Sequence, residues 1–138
     1  MNLTRRDAMA LGLGATAVAL LPLRASAAAD DAIAAFTGGA EAGEGGITLT
    51  APEIAENGNT VPISVDAPGA VAIAVYATGN PTPGIAVFNF GPLAGSQMAS
   101  TRVRLAGTQD VVAIAKMADG SFVKTSSTVK VTIGGCGG

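Results

Sequence analysis

A single cysteine within a run of glycines has the clearest capacity for chemistry in this sequence. Cys136 is the only cysteine among the 138 residues, and it lies in Gly134-Gly135-Cys136-Gly137-Gly138. A thiolate is a nucleophile that can form bonds to other sulfur atoms. Glycines have no side chain to pack and lose the most backbone entropy on ordering. The sequence therefore predicts that the thiol is carried on a flexible arm, residues 134–138, and not buried in a core.

Histidine is absent from the chain, which narrows the chemistry further. Histidine is the most frequent general base in enzymes and the most frequent metal ligand. Ser-His-Asp and Cys-His catalysis are therefore excluded within this chain, as are the usual histidine-rich copper and catalytic zinc sites. The sequence predicts no catalytic residue, no metal site and no cofactor of its own.

The sequence around Cys136 favours a thiol that is presented to another protein. The nearest cation is Lys130, and the carboxylate of Gly138, two residues away, disfavours the thiolate. Three residues lead from Ile133 to Cys136, so at roughly 3.3–3.6 Å per extended residue the sulfur reaches about 10 Å beyond the fold. We expect the enzyme that receives this thiol to set its reactivity.

Residues 1–27 have the three-part layout of an export signal. Arg5 and Arg6 precede an apolar run over residues 8–23, and Ala25-Ser26-Ala27 is a small-residue cleavage site. The run is shorter than the roughly 20 residues that a membrane-spanning helix needs. The paired arginines resemble a twin-arginine signal, so we expect cleavage near Ala27 and a periplasmic protein. The formal net charge of −2 becomes more negative on cleavage, which gives nucleic acid and anionic membranes little to bind.

Length and composition predict one all-β domain over residues 28–133. The chain contains 19 glycines and 4% aromatic residues, which suits short strands and tight turns. A short helix over residues 30–36, capped by Asp30 or Asp31 and ended by Thr37-Gly38-Gly39, is predicted first. Apolar runs between turn signals then predict the strands of a β-sandwich, near residues 47–50, 61–66, 71–77, 85–90, 98–105, 111–117, 122–126 and 128–133.

Side-chain alternation indicates which strand faces are buried. Val61, Ile63 and Val65 share one side, so that strand is half buried. Residues 71–76 and 111–115 are apolar on both faces, and large exposed apolar faces are rare. Either a partner chain covers them, or they are central strands beneath loops. Between the last strands, Asp119-Gly120 predicts a two-residue hairpin turn.

Four segments of the sequence carry a family resemblance: the glycine-flanked cysteine, Gly134 to Gly138, and residues 51–62, 100–106 and 108–113. They resemble the SoxY family, the sulfur-carrying subunits of the thiosulfate-oxidising Sox system. The resemblance spans nearly all of the chain after the signal. A twin-arginine signal is also a property of that family.

The resemblance implies an immunoglobulin-like antiparallel β-sandwich that forms a heterodimer with SoxZ. It implies that Cys136 is joined oxidatively to thiosulfate by the haem protein SoxXA, giving a cysteine S-thiosulfonate. SoxB then hydrolyses the terminal sulfonate to sulfate, and a sulfur dehydrogenase, where present, oxidises the remaining sulfane sulfur. The chain is then a substrate carrier and not an enzyme, and its arm consists of Gly134, Gly135, Gly137 and Gly138 around the attachment residue.

The residues alone leave two other roles open. Cys136 could crosslink two chains through a disulfide, because an odd cysteine in an exported protein often pairs between molecules. Acid–base catalysis by Glu53, Glu56, Asp110 and Asp119 has less support, since acidic residues in turns and at strand ends are usually solvated. Arg102 and Arg104 alternate onto one strand face, where they either bind an acidic partner or are solvated.

Overall fold

One helix and nine strands make up the part of the chain that the structure describes. The computed structural model describes the backbone of residues 20–133 and the side chains of residues 27–133. The helix α1 is Leu20–Thr37. The strands are β1 Ala42–Glu44, β2 Thr48–Thr50, β3 Ile54–Ala55, β4 Val61–Asp66, β5 Ala70–Ala77, β6 Gly84–Asn89, β7 Met98–Val103, β8 Gln109–Met117 and β9 Phe122–Val131.

The strands form the two sheets of a sandwich. The larger sheet has the order β1-β9-β8-β5-β6, with β3 also pairing with β9, and the smaller has the order β2-β4-β7. Pairing is antiparallel except for β1 and β3, which are both parallel to β9. Buried β-branched side chains of both sheets form the core, where such residues pack well on a pleated surface; they include Val61, Ile63, Val65, Ile73, Val75, Val111 and Val129. The predicted all-β, immunoglobulin-like sandwich is confirmed.

Three details of the strand prediction differ from the structure. β1 and β3 were not predicted, because strands of three and two residues carry too few side chains to show a period. The predicted break near residue 127 does not occur, and β9 runs unbroken. Ser126 and Ser127 stay in the ladder opposite Val112 and Val111.

Helix α1 begins earlier than predicted, so the proposed aspartate cap is wrong. Asp30 and Asp31 lie inside a helix that already includes Leu20, because the alanine-rich sequence before them has high helix propensity. The predicted end is confirmed, since Gly38 follows with a φ of 66° that glycine adopts readily. Residues 20–27 of the predicted signal form the first part of α1, residues 1–19 lie outside the described chain, and cleavage remains a prediction. Within residues 20–133, no helix is both long and apolar enough to cross a membrane.

Helix α1 covers the second face of the two strands that are apolar on both sides. Ala74, Tyr76 and Ile114 are buried there against Ala32, Ile33 and Phe36 of α1. The rings of Phe36 and Phe122 meet edge to face with centroids 5.8 Å apart. β5 and β8 are indeed central strands, but their cover on this face is a helix and not the predicted loops. Cover by a partner chain stays a prediction.

The contact between Tyr76 and α1 predicts a pH dependence. Burial raises the pKa of Tyr76 above its ordinary value of 10.0, and this is the only tyrosine in the chain. The stability gained from the neutral phenol is therefore fully present below about pH 10 and is lost as the pH rises through the folded pKa. The absorbance of tyrosinate should therefore appear at a higher pH in the folded protein than in denaturant. Phe36→Ala, which removes part of the cover, should shift the folded midpoint back; coincident folded and unfolded midpoints in the wild type would contradict the burial.

The turn between β8 and β9 is a hairpin, but it is not the predicted two-residue turn. Gly120 has a φ of 87°, whereas Asp119 does not have positive φ. The Gly120 N–H donates to Met117 O at 3.0 Å, and the Met117 N–H donates to Ser121 O at 2.8 Å. This is a type I turn followed by a left-handed glycine. Hydrogen bonds from the hydroxyl and the N–H of Ser121 lower the pKa of the Asp119 carboxyl.

Candidate functional site

The end of β9 determines where the cysteine arm leaves the fold. Ile133 is the last described residue, and Cys136 with Gly134, Gly135, Gly137 and Gly138 lies outside the described residues. The Thr132 N–H donates to Ala55 O at 3.1 Å, and the Ile133 carbonyl accepts the Gly58 N–H at 2.8 Å. The main chain is therefore fixed by hydrogen bonds up to three residues before the thiol.

Residues 53–60, which include β3, lie on one side of the end of β9 and bind its main chain. We call these residues the root loop. The Lys130 N–H donates to Glu53 O at 2.9 Å, and the Thr132 hydroxyl donates to Glu56 O at 3.2 Å. The loop has its own turn, in which Asn57 Oδ1 accepts the Asn59 N–H at 3.0 Å, as asparagine commonly does. The sequence singled out residues 51–62 as a segment of resemblance, and the structure places this segment against the end of β9.

The loop between β7 and β8, residues 104–108, forms the other side. Thr108 Oγ1 accepts the Val131 N–H at 2.9 Å. The Leu105 N–H donates to Gly58 O at 2.8 Å, and the Leu105 side chain is completely buried. Gly58 therefore connects the two loops with the end of β9. Its carbonyl accepts the Leu105 N–H of the loop over residues 104–108, and its own N–H donates to the Ile133 carbonyl.

A buried pair of amide side chains fixes the second loop in turn. Asn80 and Gln109 are 5% and 8% exposed. Asn80 Nδ2 donates to Arg104 O at 2.7 Å, and Asn80 Oδ1 accepts the Ala106 N–H and Gln109 Nε2, both at 2.9 Å. Gln109 Nε2 also donates to Gly107 O at 3.0 Å. Buried amides must find partners, and here those partners include the backbone of the loop that binds Val131.

Sequence reasoning missed the role of this pair. The segment Gly79-Asn80-Pro81 is typical of a turn, and Gln109 belongs to the segment of resemblance over residues 108–113, but neither pattern indicates a buried contact. The available signal is that Asn80 follows Gly79 shortly after one strongly apolar strand, and that Gln109 begins another, two residues after Gly107.

The surface around the root includes an exposed apolar side chain, and Ile54 in the adjoining root loop is exposed as well. We call this surface the arm pole and define it as residues 56–60 and 104–108 with Thr132 and Ile133. The Ile133 side chain is 67% exposed. The exposed residues around it include the uncharged Asn57, Asn59, Thr108 and Thr132.

Charges of both signs lie on or beside the arm pole. Glu53 and Glu56 are exposed in the root loop, and Arg102 and Arg104 are exposed on either side of the buried Val103. Arg102 Nη1 also donates to Thr60 Oγ1 at 3.4 Å. Arg102 and Arg104 are both exposed while Val103 between them is buried, as predicted for two residues on one strand face. Neither positive nor negative charge dominates this surface.

The four acidic residues that acid–base catalysis would require do not form one common site. Asp110 accepts a hydrogen bond from the Thr128 hydroxyl at 2.6 Å. Asp119 lies in the β8–β9 hairpin, at the opposite end of β9 from the root loop that carries Glu53 and Glu56. Among the described residues, no three acidic side chains form a group that could hold a metal ion.

Comparisons with known proteins agree with this geometry. The family model described as sulfur oxidation protein SoxY matches residues 33–136. A structure of the sulfur carrier protein SoxY from Chlorobium limicola f. thiosulfatophilum is 35% identical with a TM-score of 0.69, and the match covers 78% of this chain and 94% of that one. A search of curated proteins gave no match.

More distant structures share the fold alone. A superoxide reductase (neelaredoxin) from Ignicoccus hospitalis is 17% identical with a TM-score of 0.56, and the match covers 68% of this chain and 84% of that one. The family model, by contrast, matches well over half of the chain and extends to Cys136. The chain belongs to the SoxY family of sulfur oxidation proteins.

Proposed function

We propose that this chain carries sulfur intermediates covalently on Cys136 during periplasmic thiosulfate oxidation. The observation that carries the proposal is the fixed root of the arm. Two loops hold the main chain as far as Ile133, and three residues then lead to the thiol. Membership of the SoxY family and the reported carrier role of the Chlorobium relative support the same role.

The first step of the proposed cycle is an oxidative bond formation. The Cys136 thiol and thiosulfate form a sulfur–sulfur bond as one proton and two electrons are removed. The electrons pass to the haem protein SoxXA, and the product is a cysteine S-thiosulfonate. The thiol is the only group that this chain must supply, because the oxidant belongs to the partner.

The second step is a hydrolysis in SoxB. Water attacks the terminal sulfonate sulfur, the bond between that sulfur and the sulfane sulfur breaks, and sulfate and two protons leave. A persulfide remains on Cys136. Where a sulfur dehydrogenase is present, it oxidises the sulfane sulfur to a sulfonate with three water molecules, releasing six electrons and six protons. A second hydrolysis then restores the thiol.

The carrier acts in the periplasm as a heterodimer with SoxZ. The paired Arg5 and Arg6 before an apolar run support export by the twin-arginine route. Covalent attachment keeps each intermediate from diffusing away between enzymes, because the tether maintains a high effective concentration at each active site. In this role the chain is a substrate carrier, and the catalytic groups belong to its partners.

Reconstitution of the first two steps tests the proposal. The reduced heterodimer is incubated with SoxXA, thiosulfate and an oxidised electron acceptor, and then digested with trypsin. Cleavage after Lys130 releases a peptide that contains Cys136. We expect this peptide to gain a thiosulfonate, and to retain one added sulfur atom after SoxB is supplied. A bare thiol with active SoxXA, or only a disulfide between two chains, would contradict carriage and favour the crosslinking role.

A further inference from the structure

The predicted cleavage site of the export signal lies inside a helix. α1 extends from Leu20 to Thr37 and includes Ala25, Ser26 and Ala27. Signal peptidases, like most proteases, hold the residues around the cut bond in an extended conformation, so they act on a transiently opened state of a folded substrate. The chain around the cleavage site therefore has to unwind before it can be cut.

The sequence around the site offers more than one register for the cut. Signal peptidase requires small residues at the first and third positions before the bond. The triplets that end at Ala27, Ala28 and Ala29 all meet this requirement. The sequence alone therefore leaves three adjacent bonds open.

Burial in the fold separates these three bonds. Ala27 is exposed and Ala28 is half-buried, whereas Ala29 is only 2% exposed. About one turn further along α1, Ala32 and Ile33 pack against the second face of β5 and β8. A cut after Ala28 or Ala29 would draw Ala29 into the peptidase and out of the fold, but a cut after Ala27 leaves it in place.

The folded state matters because the twin-arginine route of the proposed export carries proteins that are already folded. α1 is then packed on the sheet when the peptidase meets it. Helix ends open at little cost in free energy, whereas packed segments open at a cost that approaches that of global unfolding. Residues 20–28 are too few for a stable helix of their own in water. Unwinding can therefore extend to Ala28 and stop at Ala29.

A cut after Ala27 also gives the remaining helix a more favourable start. In the uncut chain the first turn of α1 has no acidic residue, and Asp30 and Asp31 lie in the helix interior. After the cut they lie in the first turn of a helix that begins at Ala28, where negative charge stabilises the helix dipole. The new ammonium group on Ala28 opposes this effect, but the two carboxylates outnumber it.

We propose that signal peptidase cuts the bond between Ala27 and Ala28, and that unwinding of α1 over residues 20–28, with Ala29 still packed, limits the rate. Water adds across the amide as the bond from the Ala27 carbonyl carbon to the Ala28 nitrogen breaks. Ala27 keeps a carboxylate and Ala28 an ammonium group. This inference rests on the export that the proposed function includes, and adds to it the processed bond and the helix opening that controls it.

The test uses the full-length precursor and purified signal peptidase in detergent micelles. Residue 26 lies between the two positions that must be small, so Ser26→Ala and Ser26→Gly change helix propensity without altering either of them. We expect Ser26→Gly to be cut about fivefold faster than Ser26→Ala, with the wild type between them, because alanine favours the helix over glycine by about this factor. The intact mass of each product should give Ala28 as its first residue.

Two controls separate helix opening from other effects. Ala35 is exposed and lies within the packed part of α1, so Ala35→Gly lowers helix propensity equally but should change the rate by less than about twofold. A peptide of residues 18–31 with the same changes at residue 26 measures the peptidase's own preference. Its three forms should be cut at rates within about twofold of one another, because so short a peptide has little helix to unwind.

Four results would overturn the inference. They are a product that begins at Ala29 or Asp30, no cleavage at all, equal rates for Ser26→Ala and Ser26→Gly, and an equal acceleration by Ala35→Gly or in the peptide. The assay involves neither export nor SoxXA. A precursor that stays in the cytoplasm would therefore count against the proposed export, and a failure of SoxXA to load Cys136 against the carrier role, and both would leave this result intact.

Discussion

Replacing Cys136 with serine should abolish enzymatic sulfur loading completely. Serine keeps the size of the side chain but offers no sulfur for the bond to thiosulfate, and this is the only cysteine in the chain. Because glycines flank the residue on both sides, we expect it to add no packing to the core, and the free energy of unfolding should change by less than about 0.5 kcal/mol. The measurement is the mass of the C-terminal tryptic peptide after incubation with SoxXA and thiosulfate, alongside chemical denaturation of both proteins.

A second variant separates a thiol on the arm from a thiol elsewhere. Cys136→Ser combined with Ser96→Cys moves the only thiol to an exposed position in the β6–β7 loop. A small maleimide should label this thiol, whereas SoxXA should not load it. Enzymatic loading of the relocated cysteine, or of the serine variant itself, would show that the position of Cys136 is not what the enzymes use.

The largest effect on stability is expected from Asn80→Ala. The change removes the partner of Arg104 O, of the Ala106 N–H and of one hydrogen bond from Gln109 Nε2. Each polar group left unpaired in the interior costs about 1–3 kcal/mol, and water can reach some of them here. The free energy of unfolding should therefore fall by about 2–4 kcal/mol in urea denaturation.

The exposed Asn89 on β6 provides the matched control for this prediction. Asn89→Ala should change the free energy of unfolding by less than about 0.5 kcal/mol. Equal effects of the two substitutions would mean that the buried amide pair does not stabilise the loop over residues 104–108. Because that loop binds Gly58 and Val131, faster amide exchange at Val131 in Asn80→Ala would be the local consequence.

Strands with a strong side-chain period were predicted well from the sequence. β4 alternates Val61, Ile63 and Val65 into the core as expected, because one strand face contacts water and the other does not. β5 and β8 were recognised as apolar on both faces. Their cover by α1 was not recognised, because the helix contacts them through only three side chains, Ala32, Ile33 and Phe36, whose role depends on tertiary contact.

The surroundings of the candidate site were the least predictable part. The sequence pointed to Cys136 directly, since four flanking glycines and the absence of histidine restrict its chemistry. The sequence did not predict β3, although this two-residue strand pairs with the end of β9. Nor did it reveal the contact between Asn80 and Gln109, because a hydrogen bond between residues 29 positions apart has no local pattern.

Together these contacts hold the main chain of the described fold as far as Ile133. Backbone hydrogen bonds hold Thr132 and Ile133 to the root loop. Buried amides hold the neighbouring loop. In the proposed carrier role, a short tether that begins at a fixed point would limit the volume that the thiol explores and so raise its effective concentration at a partner's active site.

The most direct test of the central claim is the intact mass of the protein purified without reductant from its native periplasm during growth on thiosulfate. The account predicts a chain that lacks its signal and carries sulfur-containing adducts on Cys136. These adducts should be removed by reductant and be absent from the Cys136→Ser variant. A bare thiol, or only a disulfide between two copies of the chain, would contradict the carrier role.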